Sequence, residues 1–436
     1  MSSGNKKIGL ITTTSLVVGN MIGAGIFILP ASLSAYGSIS LLGWIFTALG
    51  AIILAKIFSN LSKIIVNKSG GPYIYSKEGF GDFIGFLVAW GYWISIWISN
   101  AAIAIAIIGA LSFFFPILET NSLLAVSIGL SMIWFFTWIN SKGVSTSGKI
   151  QVITTILKLL PLVFIIVFGV FFFSLDNFPK FNMTEESDFT TFSLVAALTL
   201  YAFLGLESAS IPAENIKNPE KIVPKATMFG TIITTSIYIL GTIVLFGILP
   251  TETLQNSAAP FAEAGEIIGG KYVGYFVAAG AAISGMGALN GWILILAQIP
   301  MAAAKDAMFP KIFKKKNKKG APVLGLIIGS LLSSIVMLMN FSDSLVTQFT
   351  FMVNLTVLAC LVPYVFVSAA YIIILVQKHT HINSVVKTVV LGLLGFLYSL
   401  WAIYGSTPEV VFYGFLLLLL GIPFYVLMQW NKSKEK

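Results

Sequence analysis

The sequence predicts an all-α polytopic membrane protein with about twelve transmembrane helices. The chain has 436 residues, of which 57% are hydrophobic and only 10% are charged, whereas a soluble domain carries roughly a quarter charged residues. Apolar runs of about 20 residues, the length that crosses a bilayer as a helix, recur from one end to the other. Lysines and acidic residues alternate between the loops that separate these runs. We therefore expect a multi-pass protein embedded in a lipid bilayer.

The apolar runs give the boundaries of the twelve predicted spans to within several residues. The spans lie at about 10–35, 40–62, 83–114, 122–140, 150–174, 190–213, 225–249, 272–303, 322–340, 346–376, 386–405 and 409–430. Lysines collect before the first span and after each even-numbered span, most densely from Lys305 to Lys319, and acids collect in the opposite loops. The positive-inside rule therefore predicts that both termini lie in the cytoplasm. We also expect the protein to be integral to the plasma (inner) membrane.

Composition also argues against several other classes of protein. The single cysteine, Cys360, lies in an apolar stretch, so no internal disulfide framework is expected. The histidines, His379 and His381, are too few for a metal cluster, and we expect no metal and no cofactor. The lysines are spread over short loops between spans, which does not indicate nucleic-acid binding. The spans show no nucleophile with a plausible base, so an enzyme is not expected.

The first span contains three glycines, Gly19, Gly23 and Gly25, in the middle of its apolar run. Each glycine destabilises a helix, and together they favour an interruption. A half-helix that begins near Gly25 would direct its free N–H groups, and the positive end of its dipole, at an anion such as a carboxylate. Discontinuous helices of this kind hold substrates at the bilayer midplane in transporters. The alternative is close packing of helices on small residues.

The sixth span has a second weak point at residues 203–208, which read Phe-Leu-Gly-Leu-Glu-Ser. Interruptions in spans one and six, five helices apart, are expected of two five-helix repeats of inverted topology with substrate between the breaks. The predicted organisation is a single transporter domain (1–430) with repeat one at about 10–174, repeat two at about 190–376, two additional helices at about 386–430 and a cytoplasmic tail (431–436).

Two charged residues inside predicted spans, Glu207 and Lys158, are candidates for function. Glu207 is about two-thirds of the way along the sixth span, and a charge at that depth indicates function by default. It is either a proton-sensitive gate or cation ligand, or a structural carboxyl that joins helices. Lys158 lies deep in the fifth span, where desolvation disfavours its charged form. It could take the place of a bound cation and exchange a proton, or pair with backbone carbonyls for structure alone.

Aromatic residues in the spans offer faces for a cationic ligand. Trp292 follows Asn290 and Gly291 in span eight, where an indole beside a glycine can form a cation–π face for an ammonium or guanidinium group. The same possibility applies to Tyr201, Tyr92, Trp93 and Trp97. In each case, the alternative is that the side chain only packs against neighbouring helices or anchors its span at the membrane interface.

Ordered motifs over nearly the whole chain resemble the amino acid–polyamine–organocation superfamily, and most closely its basic amino acid/polyamine antiporters, which include arginine/agmatine and putrescine/ornithine antiporters. The motifs are Gly19-Asn20 through Gly23-Ala24-Gly25 with Leu29-Pro30, Ser69-Gly70-Gly71-Pro72-Tyr73, Phe203-Leu204-Gly205-Leu206-Glu207-Ser208-Ala209-Ser210, Lys217-Asn218-Pro219, Ala259-Pro260-Phe261, Asn290-Gly291-Trp292 and Leu361-Val362-Pro363-Tyr364. The resemblance implies the LeuT-type fold, with a 5+5 inverted repeat, broken helices one and six and two additional C-terminal helices. It also suggests a homodimer.

The resemblance implies a binding site for an amino acid at the two breaks. Backbone N–H groups of Gly23, Ala24 and Gly25 would hold the substrate carboxylate. Carbonyl groups near Met21 and Leu204 would accept hydrogen bonds from its α-amino group.

The same resemblance implies roles for side chains around the substrate. Trp292 would stack on the cationic side chain as a middle gate, and Asn100 and Thr356 would bond its far end. Glu207 would couple acidity to gating or bind the cation. The aromatic residues that would support the outer and central pocket are Tyr92 and Tyr364.

Three positions depart from the arginine antiporters of this family. Ala24 stands where they have serine, and Tyr201 stands at the outer gate where they have tryptophan. Lys158 instead resembles proton-coupled amino acid transporters of the superfamily, in which a lysine on helix five occupies the sodium position.

Taken together, the residues and the resemblance predict a secondary transporter that exchanges a basic amino acid for a related amine or amino acid. The second hypothesis is a proton-coupled amino acid symporter that uses Lys158. A channel or nutrient receptor is an alternative from another class, and saturable, trans-stimulated flux would distinguish a transporter from both.

Overall fold

The computed structural model describes residues 8–23, 25–65, 68, 70–142, 147–210, 216–339, 344–377 and 382–434. Within the helices, the side chains of residues 147–151, 153, 382, 383 and 431–434 are outside this description. The Ala24 backbone, on which one predicted carboxylate contact depends, also lies outside the described residues.

The described chain is built of α-helices, as predicted. They are α1 (Leu10–Met21), α2 (Gly25–Ser34), α3 (Ile39–Ile64), α4 (Pro72–Phe80), α5 (Asp82–Ser112), α6 (Ser122–Ser141), α7 (Ser147–Gly169), α8 (Asp188–Leu200), α9 (Pro219–Ile248), α10 (Pro260–Gly269), α11 (Lys271–Lys305), α12 (Val323–Met339), α13 (Leu345–Val376), α14 (Ile382–Tyr404), α15 (Pro408–Leu419) and α16 (Gly421–Lys434), with short helices at Ile117–Thr120 and Thr251–Asn256.

Membrane-length helices account for the predicted spans. In the described residues, eleven helical segments are long and apolar enough to cross a bilayer, and α12 is a shorter apolar helix of 17 residues. These twelve segments coincide with the twelve predicted spans, so the prediction of an all-α polytopic membrane protein is confirmed. The division into two inverted repeats stays a prediction.

Local sequence signals explain where several helices begin. The Ser187 hydroxyl accepts a hydrogen bond from the Thr190 N–H at 3.2 Å, and the Ser344 hydroxyl does the same for Thr347. Each serine thus caps an N–H group that has no partner within its helix, at the start of α8 and α13 respectively. Gly270, with φ +76°, makes the sharp turn between α10 and α11.

The first and third spans form the centre of the bundle. In both the first span and α5, 94% of the most apolar stretch is buried inside the protein, against 17% for the span formed by α15 and α16. Side chains of α5 and of the first span therefore face other helices, whereas the last span lies at the periphery and presents its apolar residues to lipid.

Loops with the same predicted sidedness meet at one end of the bundle, which we call the acidic end. The Ser38 N–H donates to the Lys180 carbonyl at 2.9 Å, and the Gln255 amide donates to the Ser34 carbonyl at 3.4 Å. These contacts join the loops after spans one, five and seven, all of which are predicted to lie on one side of the membrane.

The opposite end, which we call the basic end, joins the loops after spans two and eight. Asp306 accepts a hydrogen bond from the Tyr73 hydroxyl and forms a 3.1 Å ion pair with Lys77. Partial burial acts to raise the pKa of the Asp306 carboxyl, but the bonds from Tyr73 and Lys77 outweigh it, so its pKa lies below the ordinary value. The contacts at both ends agree with the alternation of lysines and acids along the sequence.

Candidate functional site

The first span is interrupted where its glycines predict. Helix α1 ends at Met21, the Ile22 backbone leaves the helical region at φ −77° and ψ 82°, and α2 begins at Gly25. The Gly23 N–H donates to the Met21 carbonyl at 2.9 Å, so in this conformation it is engaged within the break. The first N–H groups of α2, from Gly25 onward, have no partner within the helix and carry the positive end of its dipole.

The sixth span is interrupted at the second predicted weak point. Helix α8 ends at Leu200 and continues as a 3₁₀ turn, Tyr201–Phe203, then as turns and a second 3₁₀ segment, Ser208–Ser210. The Tyr238 hydroxyl of α9 donates to the Ala202 carbonyl at 2.9 Å, which satisfies one backbone group of the irregular segment. Such irregular backbone is tolerable at membrane depth because protein covers it.

The two breaks touch each other at Gly205. Its φ of +106° lies in a region of backbone conformation that residues with a side chain rarely adopt. A Cβ atom added there would lie 3.1 Å from the carbonyl carbon of Asn20 and 3.2 Å from the nitrogen of Met21. Glycine is therefore required both for the backbone conformation and for the close approach of span six to span one.

A small cavity lies between the breaks. Its walls are formed by Asn20, Met21, Gly23, Gly25, Ile26, Ser99, Ile103, Tyr201, Ala202, Leu204 and Trp292. Its volume of about 20 Å³ is far below the roughly 300–1,000 Å³ of a pocket for a drug-sized ligand. The described conformation is thus closed around this cavity, and an amino acid can enter only after the walls move.

Two aromatic side chains form part of the cavity wall. Trp292 is 5% exposed, and its indole N–H donates to the Asn20 carbonyl at 3.3 Å. The Tyr201 hydroxyl lies 3.4 Å from the Ser99 hydroxyl, and its ring meets Phe349 edge to face at a centroid distance of 5.8 Å. The Tyr201 ring also covers Gly25, where an added Cβ would lie 2.6 Å from the ring atom Cε1. Trp292 and Tyr201 thus lie where movable gates are expected.

Several buried polar side chains have atoms without a hydrogen-bond partner in the part of the chain that the structure describes. Among them are Asn20 in α1, Trp97 and Asn100 in α5, Ser208 in the sixth span and Thr356 in α13. Buried polar groups are nearly always hydrogen-bonded, so such atoms require water or a ligand. Asn20 lines the cavity, whereas Asn100 and Thr356 do not in this conformation.

Lys158 donates hydrogen bonds to backbone carbonyl groups at the break in the first span. Its ammonium is fully buried and donates to the carbonyl groups of Gly19 and Ile22, each at 2.6 Å. In an uninterrupted helix the Gly19 carbonyl would accept from the Gly23 N–H, which here turns to Met21. The ammonium therefore satisfies two carbonyl groups at the break and joins α7 to it.

Glu207 is held by tyrosines from two other spans. One carboxylate oxygen accepts from the Tyr92 hydroxyl at 2.5 Å, and the other accepts from the Tyr364 hydroxyl at 2.9 Å and from the Gly205 N–H at 3.2 Å. All three side chains are buried, and none of them lines the cavity. The carboxylate thus links α5 and α13 to the glycine that contacts the first break.

The structure therefore brings together part of the predicted site. The predicted residues that line the cavity are Met21, Gly23, Gly25, Tyr201, Leu204 and Trp292. The predicted residues that do not line it in this conformation are Tyr92, Asn100, Lys158, Glu207, Thr356 and Tyr364. Sequence reasoning missed five wall residues, the polar Asn20 and Ser99 and the apolar Ile26, Ile103 and Ala202. Asn20 could have been found, because an asparagine inside an apolar span needs a polar partner.

Two broken spans that enclose a buried, partly polar cavity define a multi-pass membrane protein of the transporter class. The sequence profile of the amino acid permease family matches residues 8–426. The chain belongs to this family.

Curated relatives are similar over nearly their whole length. A protein named putrescine transporter PotE, from Haemophilus influenzae, is 34% identical over all of this chain and all of its own. An arginine/agmatine antiporter of Chlamydia pneumoniae is 34% identical over all of this chain and 93% of its own. A putrescine transporter PotE of Escherichia coli (strain K12) is 35% identical over 97% of this chain and 96% of its own.

Proposed function

We propose that the protein is a secondary active transporter that exchanges a basic amino acid for a related amine or amino acid across the membrane. The observation that carries this proposal is the closed cavity between two broken spans, with the start of α2 on one wall and an indole on another. The names of the full-length relatives, a putrescine transporter and an arginine/agmatine antiporter, support exchange of amino acids or polyamines.

The proposed recognition divides the substrate into two ends. The carboxylate lies at the start of α2, near Gly25, where unpaired N–H groups and the helix dipole favour an anion. The α-amino group binds the carbonyl groups of Met21 and Leu204, and the cationic side chain lies against Trp292. A carboxylate that reaches the Gly23 N–H must displace its bond to the Met21 carbonyl.

The far end of the substrate is proposed to bind Asn100 and Thr356. Both side chains are fully buried, and both have polar atoms without partners in the described chain. Buried polar groups without partners destabilise the empty site. A substrate whose guanidinium or ammonium group forms hydrogen bonds with them therefore binds more tightly. Asn20, which lines the cavity with an unpaired amide, is a further candidate contact.

Proton-coupled symport through Lys158 is the second candidate function. The bonds of its ammonium to the carbonyl groups of Gly19 and Ile22 favour it, because loss of the proton would release the break. The names of the relatives favour exchange instead.

The orientation and assembly are also proposals. The excess of lysine at the basic end supports a cytoplasmic location for that end and for both termini, in the plasma (inner) membrane. A homodimer is proposed from the resemblance alone, and cross-linking of the purified protein in vesicles would test it.

The experiment that tests the proposed function uses the purified protein in liposomes loaded with arginine, lysine, ornithine or putrescine. Uptake of labelled substrate is measured with and without internal counter-substrate, and with and without a pH gradient. Exchange requires uptake that saturates and depends on the counter-substrate. Flux that neither saturates nor responds to counter-substrate would indicate a channel, and binding without flux would indicate a receptor.

Replacement of Trp292 tests the stacking role. We expect Trp292→Leu to reduce exchange sharply and Trp292→Phe to retain part of it, because phenylalanine keeps an aromatic face but loses the N–H bond to the Asn20 carbonyl. Cation–π stacking of about 0.5–2 kcal/mol corresponds to roughly 2- to 30-fold in affinity. Initial exchange rates against substrate concentration measure the effect. Equal rates for the Leu and Phe variants, both folded, would rule out stacking.

Replacement of Glu207 tests the acid that faces Tyr92 and Tyr364. Glu207→Gln keeps the shape of the side chain but removes the negative charge of the carboxylate, to which two hydroxyl groups and one N–H group donate hydrogen bonds. We expect loss of the pH response of exchange or weaker substrate binding, measured as rate and KM between acidic and neutral pH. Glu263→Gln is the matched control, because the Glu263 carboxylate also accepts a hydrogen bond from a hydroxyl group, that of Ser257, but does not contact the break in the sixth span. An unchanged profile for Glu207→Gln would leave Glu207 a structural acid.

A further inference from the structure

A dense group of lysines lies in the loop between α11 and α12. Lys314, Lys315, Lys316, Lys318 and Lys319 are all exposed. From Ala307 to Ser342 the sequence contains no acidic residue, and Asp306, at the start of the loop, is already bonded to Tyr73 and Lys77. The loop therefore presents positive charge that no acid of its own neutralises.

This loop is anchored to the helices rather than extended into solvent. The Phe313 ring is buried and packs against Phe309 at 6.0 Å and Trp93 at 6.3 Å between centroids. Further along, the Asn317 side-chain oxygen accepts from the N–H groups of Lys319 and Ala321, each at 3.0 Å. The backbone that carries Lys316, Lys318 and Lys319 is thus held in one arrangement, and a ligand would not have to order it.

A hydrogen bond sets the depth of the loop relative to the bilayer. The Asn317 amide donates to the Ser141 carbonyl at the end of α6, at 2.6 Å. Three residues before Ser141, Trp138 is 54% exposed on an apolar span, and the ammonium of the exposed Lys142 lies 3.2 Å from its ring centroid. A tryptophan exposed at the end of a span, with a lysine at its ring, marks the level of the lipid headgroups. The Asn317 bond places the lysines beside it at that level.

We propose that Lys142 together with Lys316, Lys318 and Lys319 forms a binding site for the phosphate headgroups of anionic phospholipids. The charge complementarity is direct, because phosphate is an anion and the four side chains are exposed ammonium groups. Trp138 supplies the apolar surface on which the acyl chains of the same lipid pack. The site is independent of which amine or amino acid is exchanged.

The test measures which lipid contacts Trp138. The full-length protein is placed in vesicles in which either phosphatidylcholine or phosphatidylglycerol carries bromine, which quenches nearby tryptophan. The chain has nine tryptophans, so the Trp138 signal is the difference between the parent protein and Trp138→Phe. We expect a relative binding constant of phosphatidylglycerol of at least about fivefold over phosphatidylcholine, the attraction of about one lysine near an anionic surface.

Three variants separate the proposed site from general surface charge. The first is a triple variant that combines Lys316→Gln, Lys318→Gln and Lys319→Gln, and it should bring the relative binding constant of phosphatidylglycerol over phosphatidylcholine close to one. The second has arginine at the same three positions and should retain the preference for phosphatidylglycerol. The matched control combines Lys217→Gln, Lys221→Gln and Lys225→Gln, three exposed lysines just before and within the first turns of α9, and should leave the preference unchanged. Equal quenching of Trp138 by the two brominated lipids in the parent protein would overturn the proposal. So would a loss of lipid preference in the control variant as large as that in the glutamine variant. Loss of the preference on addition of inorganic phosphate at constant ionic strength would also overturn it, in favour of a site for free anions.

Discussion

Gly205→Ala should lower the exchange rate at least about tenfold, which corresponds to about 1.4 kcal/mol. The added carbon would lie 3.1 Å from the carbonyl carbon of Asn20, and the residue would have to keep a φ of +106°. The nearest atoms are two backbone atoms and the Cβ of Asn20, none of which can rotate away as the end of a flexible side chain can. The two breaks must therefore separate, and the cavity wall that contains Asn20 and Leu204 is displaced.

Gly270→Ala is the matched control for Gly205→Ala. Gly270 has a similar positive φ of +76°, but an added Cβ there meets nothing within 4 Å. Both variants carry the backbone strain of an alanine at positive φ, about 1–3 kcal/mol, and both should unfold at lower temperature in detergent. Exchange in liposomes should fall in Gly205→Ala alone. An equal loss of exchange in the two variants would mean that strain, and not the approach of the breaks, limits transport.

The sequence predicts those features of the fold that violate a local pattern. Glycines within an apolar run, such as Gly23 and Gly25, identify the break in span one because they oppose the helix that the surrounding residues favour. Glu207 and Lys158 are conspicuous for the same reason, as charges at membrane depth. Length and hydropathy likewise locate the twelve spans, because the bilayer thickness fixes how long a spanning helix must be.

The partners of these residues could not be predicted from pattern alone. Glu207 meets Tyr92 and Tyr364, which are 115 and 157 positions away along the chain. Nothing local distinguishes these two tyrosines from others in the spans, and only the packing of α5 and α13 brings them to one carboxylate. Ser99 was missed for the same reason. A serine in a span usually bonds within its own helix, and its proximity to Tyr201 depends on how two spans meet.

The size of the cavity also depends on tertiary structure. The sequence predicts a substrate site between the breaks, but a cavity of about 20 Å³ is a property of one conformation. Tyr201 and Trp292 close it through contacts with Phe349 and the Asn20 carbonyl, and each contact is a weak, single interaction. Such contacts can break and re-form during alternating access, which explains how a site that is closed here can admit an amino acid.

Lys158→Met should abolish exchange at every pH and lower the stability of the protein in detergent. Methionine nearly matches the length of lysine but donates no hydrogen bond, so the carbonyl groups of Gly19 and Ile22 lose the ammonium that each meets at 2.6 Å. A buried acceptor left without its partner costs about 1–3 kcal/mol, and here two are affected. Without the ammonium, α7 no longer holds the break in the first span.

Lys56→Met provides the matched control, because Lys56 also lies within a span, in α3, but is exposed. Its replacement should leave exchange and stability close to those of the parent protein. If Lys158 is a permanent structural cation, the parent protein should show no net uptake when an inward proton gradient is imposed without counter-substrate. Net uptake that follows the proton gradient and disappears in Lys158→Met would instead establish proton-coupled symport. Full activity of Lys158→Met, both with counter-substrate and with a proton gradient alone, would contradict the structural role and the proton-coupling role. Transport would then need neither the charge of Lys158 nor its hydrogen bonds at the first break.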